Sequence, residues 1–145
     1  MELIIPVIIV ALLGGIAVGL QGPLTSLMSQ RLGTIESVFI VHIGGAVLAG
    51  IPLLFMRGGN LGAWRNVPWY ALGAGSLGLV ILAGVSYTIP RIGVATTVAL
   101  IVAAQLMTGA LLDHFGLLGA QVHLVNWERI LGMGVLLIGT WLIMR

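Results

Sequence analysis

The chain has 145 residues, of which 59% are apolar, only 7% are charged and none is cysteine; its mean hydropathy is +1.18. A soluble domain carries roughly 25% charged residues because water must solvate its surface, so this composition excludes one and makes membrane lipid the surrounding partner. The lack of cysteine removes disulfide scaffolds, Cys-ligated metals and thiol chemistry, and the net charge of +2 rests on six separated arginines with no basic run, which gives a nucleic-acid partner no footing.

A membrane-crossing helix needs about 20 apolar residues to traverse roughly 30 Å of hydrocarbon, so the intervals between charges read as spans. The first, Leu3–Gln30, has 28 residues. It is too long for the apolar core of a signal peptide, starts behind Glu2 rather than a basic segment, and is expected to stay attached. Ser37–Met56 follows with 20 residues, then Asn66–Pro90 with 25 and Ile92–Leu112 with 21. The last run, Ile130–Met144, has only 15; it is expected to borrow a turn from the His123–Trp127 stretch, with Trp127 and Trp141 as interfacial anchors and Arg145 reaching outward. These runs are continuous rather than alternating, which favours helices over a β-barrel. Pro6 and Pro68 suit first turns, and Pro90 is expected to close the third span. Pro23 and Pro52 lie inside theirs, free the carbonyls of Gly19 and Leu48, and predict kinks. The expectation is an all-α membrane protein: one five-helix domain over residues 1–145, with spans near 3–30, 37–56, 66–90, 92–112 and 124–144.

Five spans put the chain ends on opposite sides, so the loops can be sorted and their arginines counted. Arg31, Arg91 and Arg145 fall on one side and Arg57, Arg65 and Arg129 on the other, three against three. Cytoplasmic loops normally hold a clear excess, and here the insertion machinery receives almost no orientation signal. One reading is dual topology, the same chain inserted both ways up and paired as an antiparallel homodimer of ten helices. The other is a weak bias settled by features outside the count. Inverted repeats meeting at the bilayer midplane are a common transporter plan.

Leu20-Gln21-Gly22-Pro23-Leu24-Thr25 with the following Arg31-Leu32-Gly33, the segment Ile89-Pro90-Arg91-Ile92-Gly93-Val94-Ala95-Thr96-Thr97, and Gln105 followed by Asp113-His114-Phe115-Gly116-Leu117-Leu118-Gly119 together resemble the small YdcZ-type proteins of the drug/metabolite transporter superfamily. The resemblance covers essentially the whole chain. It departs from the family pattern at Thr25, four residues after Gln21, where an Asn is expected. The resemblance implies a bacterial inner-membrane exporter of small molecules that works as an oppositely oriented pair, and it implies no particular substrate.

Polar side chains in lipid cost free energy unless they are paired or face water, so their faces mark where a pathway can run. In the first span Gly14, Gln21, Thr25 and Ser29 form one helical stripe; Ser76, Val80, Gly84 and Tyr87 do so in the third, and Thr97, Ile101, Gln105 and Thr108 in the fourth. The functional reading converges these stripes on a central cavity, with Gln21 and Gln105 as donors and acceptors, Thr25, Ser76, Thr97 and Thr108 as hydroxyls, and Tyr87 as a stacking face. The structural reading makes them glue between helices.

His42 is the one ionisable side chain within a charge-free run, which makes it a candidate for proton coupling or, equally, a neutral histidine bonded to another helix. Asp113 and His114 end the fourth span. A carboxylate at a helix C-terminus faces the negative end of the dipole, so Asp113 calls for a partner: His114, an arginine, or a second copy. Proton relay and structural pairing both fit. Glu36 behind Thr34 reads as a cap-and-dipole arrangement, and Glu2 and Glu128 as interfacial.

No carboxylate lies at mid-depth in any span, which disfavours the proton-for-cation exchange of small four-helix multidrug exporters and suits neutral or zwitterionic solutes, or an ion whose charge is met by helix ends. Gly73-Ala74-Gly75-Ser76-Leu77-Gly78 matches G-x-G-x-x-G but lies inside a span with no βαβ unit around it. Gly14, Gly15, Gly44, Gly45, Gly73, Gly75, Gly78, Gly132 and Gly134 are instead expected to let helix backbones approach. His42, His114 and His123 lack metal-site spacing, so neither a metal nor another cofactor is expected, and no nucleophile–base–acid set points to an enzyme. The function expected is secondary-active export of a small organic solute, with a proton or another ion as coupling partner. A dual-topology ion channel and a non-transporting membrane subunit are the alternatives.

Overall fold

The computed structural model describes residues 4–145; Glu2 lies outside them. Among the described residues there are helices and no strand. Four helices are long and apolar enough to cross a membrane: Ile4–Leu32, Thr34–Phe55, Trp69–Ile92 and Val94–Phe115. The chain divides into two compact units, Met1–Pro90 and Arg91–Arg145.

In the first unit, α1 (Ile4–Leu32) and α2 (Thr34–Phe55) form a hairpin joined by a single residue, Gly33. Its φ of 109° and ψ of 156° fall in a region that side chains essentially exclude, and the Glu36 carboxylate occupies the place a Cβ would take. The expected cap at Thr34 is absent: Gly33 is the N-cap and no side chain caps the helix. Because α1 persists to Leu32, Thr34 already lies in the first turn of α2, and its hydroxyl bonds that of Ser29 across the link at 2.9 Å. Close to the link Thr25 and Ser26 on α1 and Ser37 and Val38 on α2 are buried. Small side chains let two backbones approach in lipid, where packing rather than water drives association. Their hydroxyls are satisfied at home: Thr25 donates to the Gln21 carbonyl at 2.8 Å and Ser37 to that of Thr34 at 2.9 Å.

Both helices run unbroken through their internal prolines, Pro23 and Pro52. A 3-10 segment, Leu61–Asn66, leads to α3 (Trp69–Leu72), for which Pro68 is the N-cap, and after Gly73 to α4 (Ala74–Ile92). Pro90 does not close this helix, which continues two residues beyond it. Proline keeps a helical φ and forfeits a single N–H bond; the helix stops at Gly93, whose φ is 82° and ψ 166°. Within the first unit α4 reaches α1 at Gly22, where an ideal Cβ would lie 3.4 Å from Val85 and 3.6 Å from Ile89.

In the second unit, α5 (Val94–Phe115) begins directly behind Gly93. The link repeats the first: Arg91-Ile92-Gly93 answers Arg31-Leu32-Gly33, and the Thr97 and Ser37 amides donate to the respective glycine carbonyls at 3.2 and 3.1 Å. The C-terminus of α5 is Gly116 in the left-handed region, its N–H bonded to the Leu112 carbonyl, a common helix stop. After a 3-10 turn, Leu117–Gly119, the chain returns to α6 (Trp127–Ile143). Asn126 caps α6, its side chain accepting the Arg129 amide at 2.9 Å. Residues near 124, expected to open the last span, are not helical, because His123 and Val125 use their amides on α5. With 17 residues, α6 is about 25 Å long.

Candidate functional site

A cavity of about 480 Å³ opens between α5 and α6. Its polar groups are few and come from both helices. Gln105, Gly109 and Asp113 follow one another at four-residue steps down one face of α5, while Arg129, Met133 and Leu136 line the wall from α6. Asp113 finds the partner its position demands in Arg129, Nη1 to Oδ2 at 3.4 Å, with the two side chains 38% and 42% exposed. The same Nη1 donates to the His123 carbonyl at 3.4 Å. A long, half-exposed ion pair of this kind contributes about 0–1 kcal/mol to folding. The return segment is held more firmly: the His123 amide donates to the Asp113 carbonyl at 2.9 Å and the Val125 amide to His114 Nδ1 at 3.1 Å. His114 therefore keeps Nδ1 bare, and its ring meets Phe115 edge-on at 4.8 Å.

A second cavity, of about 640 Å³ and almost wholly apolar, lies in the first unit between α2 and α4, and Ser76 and His42 are on its wall. His42 Nδ1 lies 2.8 Å from the Val38 carbonyl. A carbonyl only accepts, so Nδ1 carries the hydrogen and Nε2 is turned toward Gly78, where an ideal Cβ would sit 2.7 Å away. The Ser76 hydroxyl is occupied by the Gly73 carbonyl at 2.7 Å.

The expected site residues therefore separate. Gln105 meets Asp113, and His42 meets Ser76, whereas Gln21, Thr25, Tyr87, Thr97 and Thr108 line neither of these cavities. Gln21, Tyr87 and Thr108 are exposed on their helices. Thr25 and Thr97 are buried, the hydroxyl of Thr97 donating to the Gly93 carbonyl at 2.8 Å. Among the nine glycines expected at close helix approaches, Gly78 alone has another helix against it; Gly73 meets the Tyr70 carbonyl, and the other seven have open space beside them, Gly75 and Gly132 because they line the two cavities. Arg129 was not singled out from the sequence. The signal for it is the spacing of Arg129, Gly132, Met133 and Leu136, one face of a helix, opposite an acidic residue that lacked a partner.

The family model described as "Putative inner membrane exporter, YdcZ" matches residues 6–142. The chain belongs to this family. The description of the YdcZ family is that of an inner-membrane exporter, a transporter rather than an enzyme. The chain is 28% identical over 134 residues to the inner membrane protein YdcZ of Escherichia coli (strain K12), which covers 90% of this chain and 89% of that one. No solved structure gives a significant match.

Proposed function

We propose that this chain is a secondary-active exporter of a small organic solute that works by alternating access as an antiparallel pair of oppositely inserted copies. Each copy contributes one five-helix membrane domain, residues 1–145, with α6 as a short fifth span. The observation that carries the reading is the cavity between α5 and α6, where an amide, a carboxylate and a guanidinium surround an otherwise apolar space in a family described as exporters. Gln21, Ser76, Tyr87, Gln105 and Thr108, drawn from the first, third and fourth spans of both copies, complete the pathway, whereas Thr25 and Thr97, buried with their hydroxyls bonded to their own helices, serve packing. Two features support pairing: the even division of arginines, and the exposure of α1 on every face from Ile4 to Val18 in the single chain.

A proton is the candidate coupling ion, with His42, Asp113 and His114 as its carriers. His114 Nδ1 accepts the Val125 amide, and an imidazolium has hydrogens on both nitrogens and accepts at neither. Protonation of His114 therefore breaks one of the two backbone hydrogen bonds that hold the return segment to the end of α5.

The test is counterflow in proteoliposomes with a panel of labelled neutral and zwitterionic metabolites. Saturable exchange by the wild type, lost in Gln105→Ala while cross-linking still captures the dimer, is the expected result. Unsaturable ion conductance identifies a channel instead, and an absence of both flux and solute-dependent stabilisation refutes the proposal.

A further inference from the structure

We infer that the cavity between α5 and α6 takes a zwitterion of the α-amino-acid kind, with a carboxylate and an ammonium one carbon apart on an apolar body. The inference rests on the exporter reading and names its substrate class. The two charges at the rim are adjacent and opposite, Arg129 Nη1 and Asp113 Oδ2 lying 3.4 Å apart. Each keeps unused capacity. Arg129 uses Nη1 for both Asp113 and the His123 carbonyl, which leaves Nε and Nη2; Asp113 accepts at Oδ2, which leaves Oδ1. A ligand with adjacent charges of both signs engages these free positions side by side without breaking the pair.

Each charge also sits at the unfavourable end of its own helix. Asp113 is in the last turn of α5 and Arg129 in the first turn of α6, where the dipoles oppose a carboxylate and a guanidinium respectively. A sequence selected only for helix stability places them the other way round. Their value lies in each other and in what they face, which is the cavity.

Charge balance decides between ligand classes. The pair sums to zero, so a lone cation also meets Arg129 and a lone anion also meets Asp113, a like charge that opposes each of them. A zwitterion meets both with complementary groups. The remaining wall fits an apolar body: Leu106, Met133 and Leu136 line it, and Gln105 adds one amide. No aromatic ring lines it, which removes the cage that quaternary ammonium ions need. The volume, about 480 Å³, is within the usual range of small-molecule sites, roughly 300–1,000 Å³.

The experiment uses the full-length protein in proteoliposomes and three shape-matched probes: L-leucine, its amide as the cation, and 4-methylpentanoate as the anion. Equilibrium binding and counterflow are measured for each. L-leucine is expected to bind saturably and at least tenfold more tightly than either singly charged probe. Arg129→Gln should weaken L-leucine more than tenfold while improving the amide, and Asp113→Asn should do the same in favour of 4-methylpentanoate. The wild-type ranking needs no variant to fold. Equal or tighter binding of a singly charged probe, or no binding of L-leucine, overturns the substrate class. Flux of the amide or the anion with none of L-leucine keeps the exporter and rejects the zwitterion, whereas L-leucine binding without flux keeps the zwitterion and rejects the exporter.

Discussion

Substituting Gly78 by alanine probes the approach of His42 on α2 to α4. The new methyl group would lie 2.7 Å from His42 Nε2 and 3.4 Å from Cε1, whereas non-bonded carbons rest at roughly 3.5–4 Å. The overlap is thus on the order of 1 Å. His42 cannot swing aside freely, because Nδ1 is tied to the Val38 carbonyl at 2.8 Å. If the ring rotates, it forfeits that hydrogen bond, about 1 kcal/mol; if α4 shifts instead, overpacking costs about 1–3 kcal/mol. Alanine regains roughly 0.5–1 kcal/mol over glycine inside a helix, so Gly78→Ala should destabilise the protein by about 1 kcal/mol net. The double variant His42→Ala/Gly78→Ala should recover most of the added loss, since the partner of the clash is gone. SDS titration in mixed micelles gives the free energies for a double-mutant cycle. A cycle with no coupling would show that His42 does not stand against Gly78.

Other outcomes test separate parts of the structure. His114→Phe removes the acceptor for the Val125 amide and leaves it unsatisfied, at about 1–3 kcal/mol; hydrogen exchange should accelerate at residues 120–126 and not in α2, and unchanged protection there would refute the latch. Ser86 is 5% exposed and its Oγ is, among the described residues, a buried side-chain oxygen with no partner, so Ser86→Ala should be neutral or up to about 1 kcal/mol stabilising. A clear loss of thermal stability would mean that the hydroxyl is bonded in the assembled protein. Met144→Cys introduces the chain's first thiol while keeping all six arginines, and membrane-impermeant reagents should label it about equally from both faces of the membrane. Labelling from one face rejects dual topology.

The helical character of the chain was legible because lipid leaves the backbone no other solution, and the gaps between charges located the long helices to within a few residues. The links were less legible. Arg31–Glu36 reads as a short loop, yet one glycine suffices there, since a single residue at positive φ reverses the chain and the flanking residues stay helical. Pro90 misled for another reason: its ring holds a helical φ and its missing N–H costs only the one bond to the Ser86 carbonyl, so the helix continues and the conformation of Gly93 decides the boundary. Within the candidate site, the face shared by Gln105 and Asp113 followed from four-residue spacing. The choice of Arg129 over other partners did not, because it depends on a return segment whose path is set by backbone bonds to Asp113 and His114 that no side-chain pattern announces. Thr25 and Thr97 stand out as polar residues in apolar runs, but the sequence cannot reveal that their hydroxyls turn back on carbonyls four residues earlier.

The single-residue link at Gly33 also constrains how the gene can change length. Helical residues advance by about 100° around the axis, so one inserted or deleted residue at this point turns α2 by that angle against α1. Ser37 and Val38 would rotate off the contact, and His42 would leave Gly78. Surface connections ordinarily absorb insertions and deletions; the stretch between α2 and α3, with its turn and 3-10 segment, can do so here. At Gly33 the reading frame of the fold is set by one residue, and variation in length should stop there.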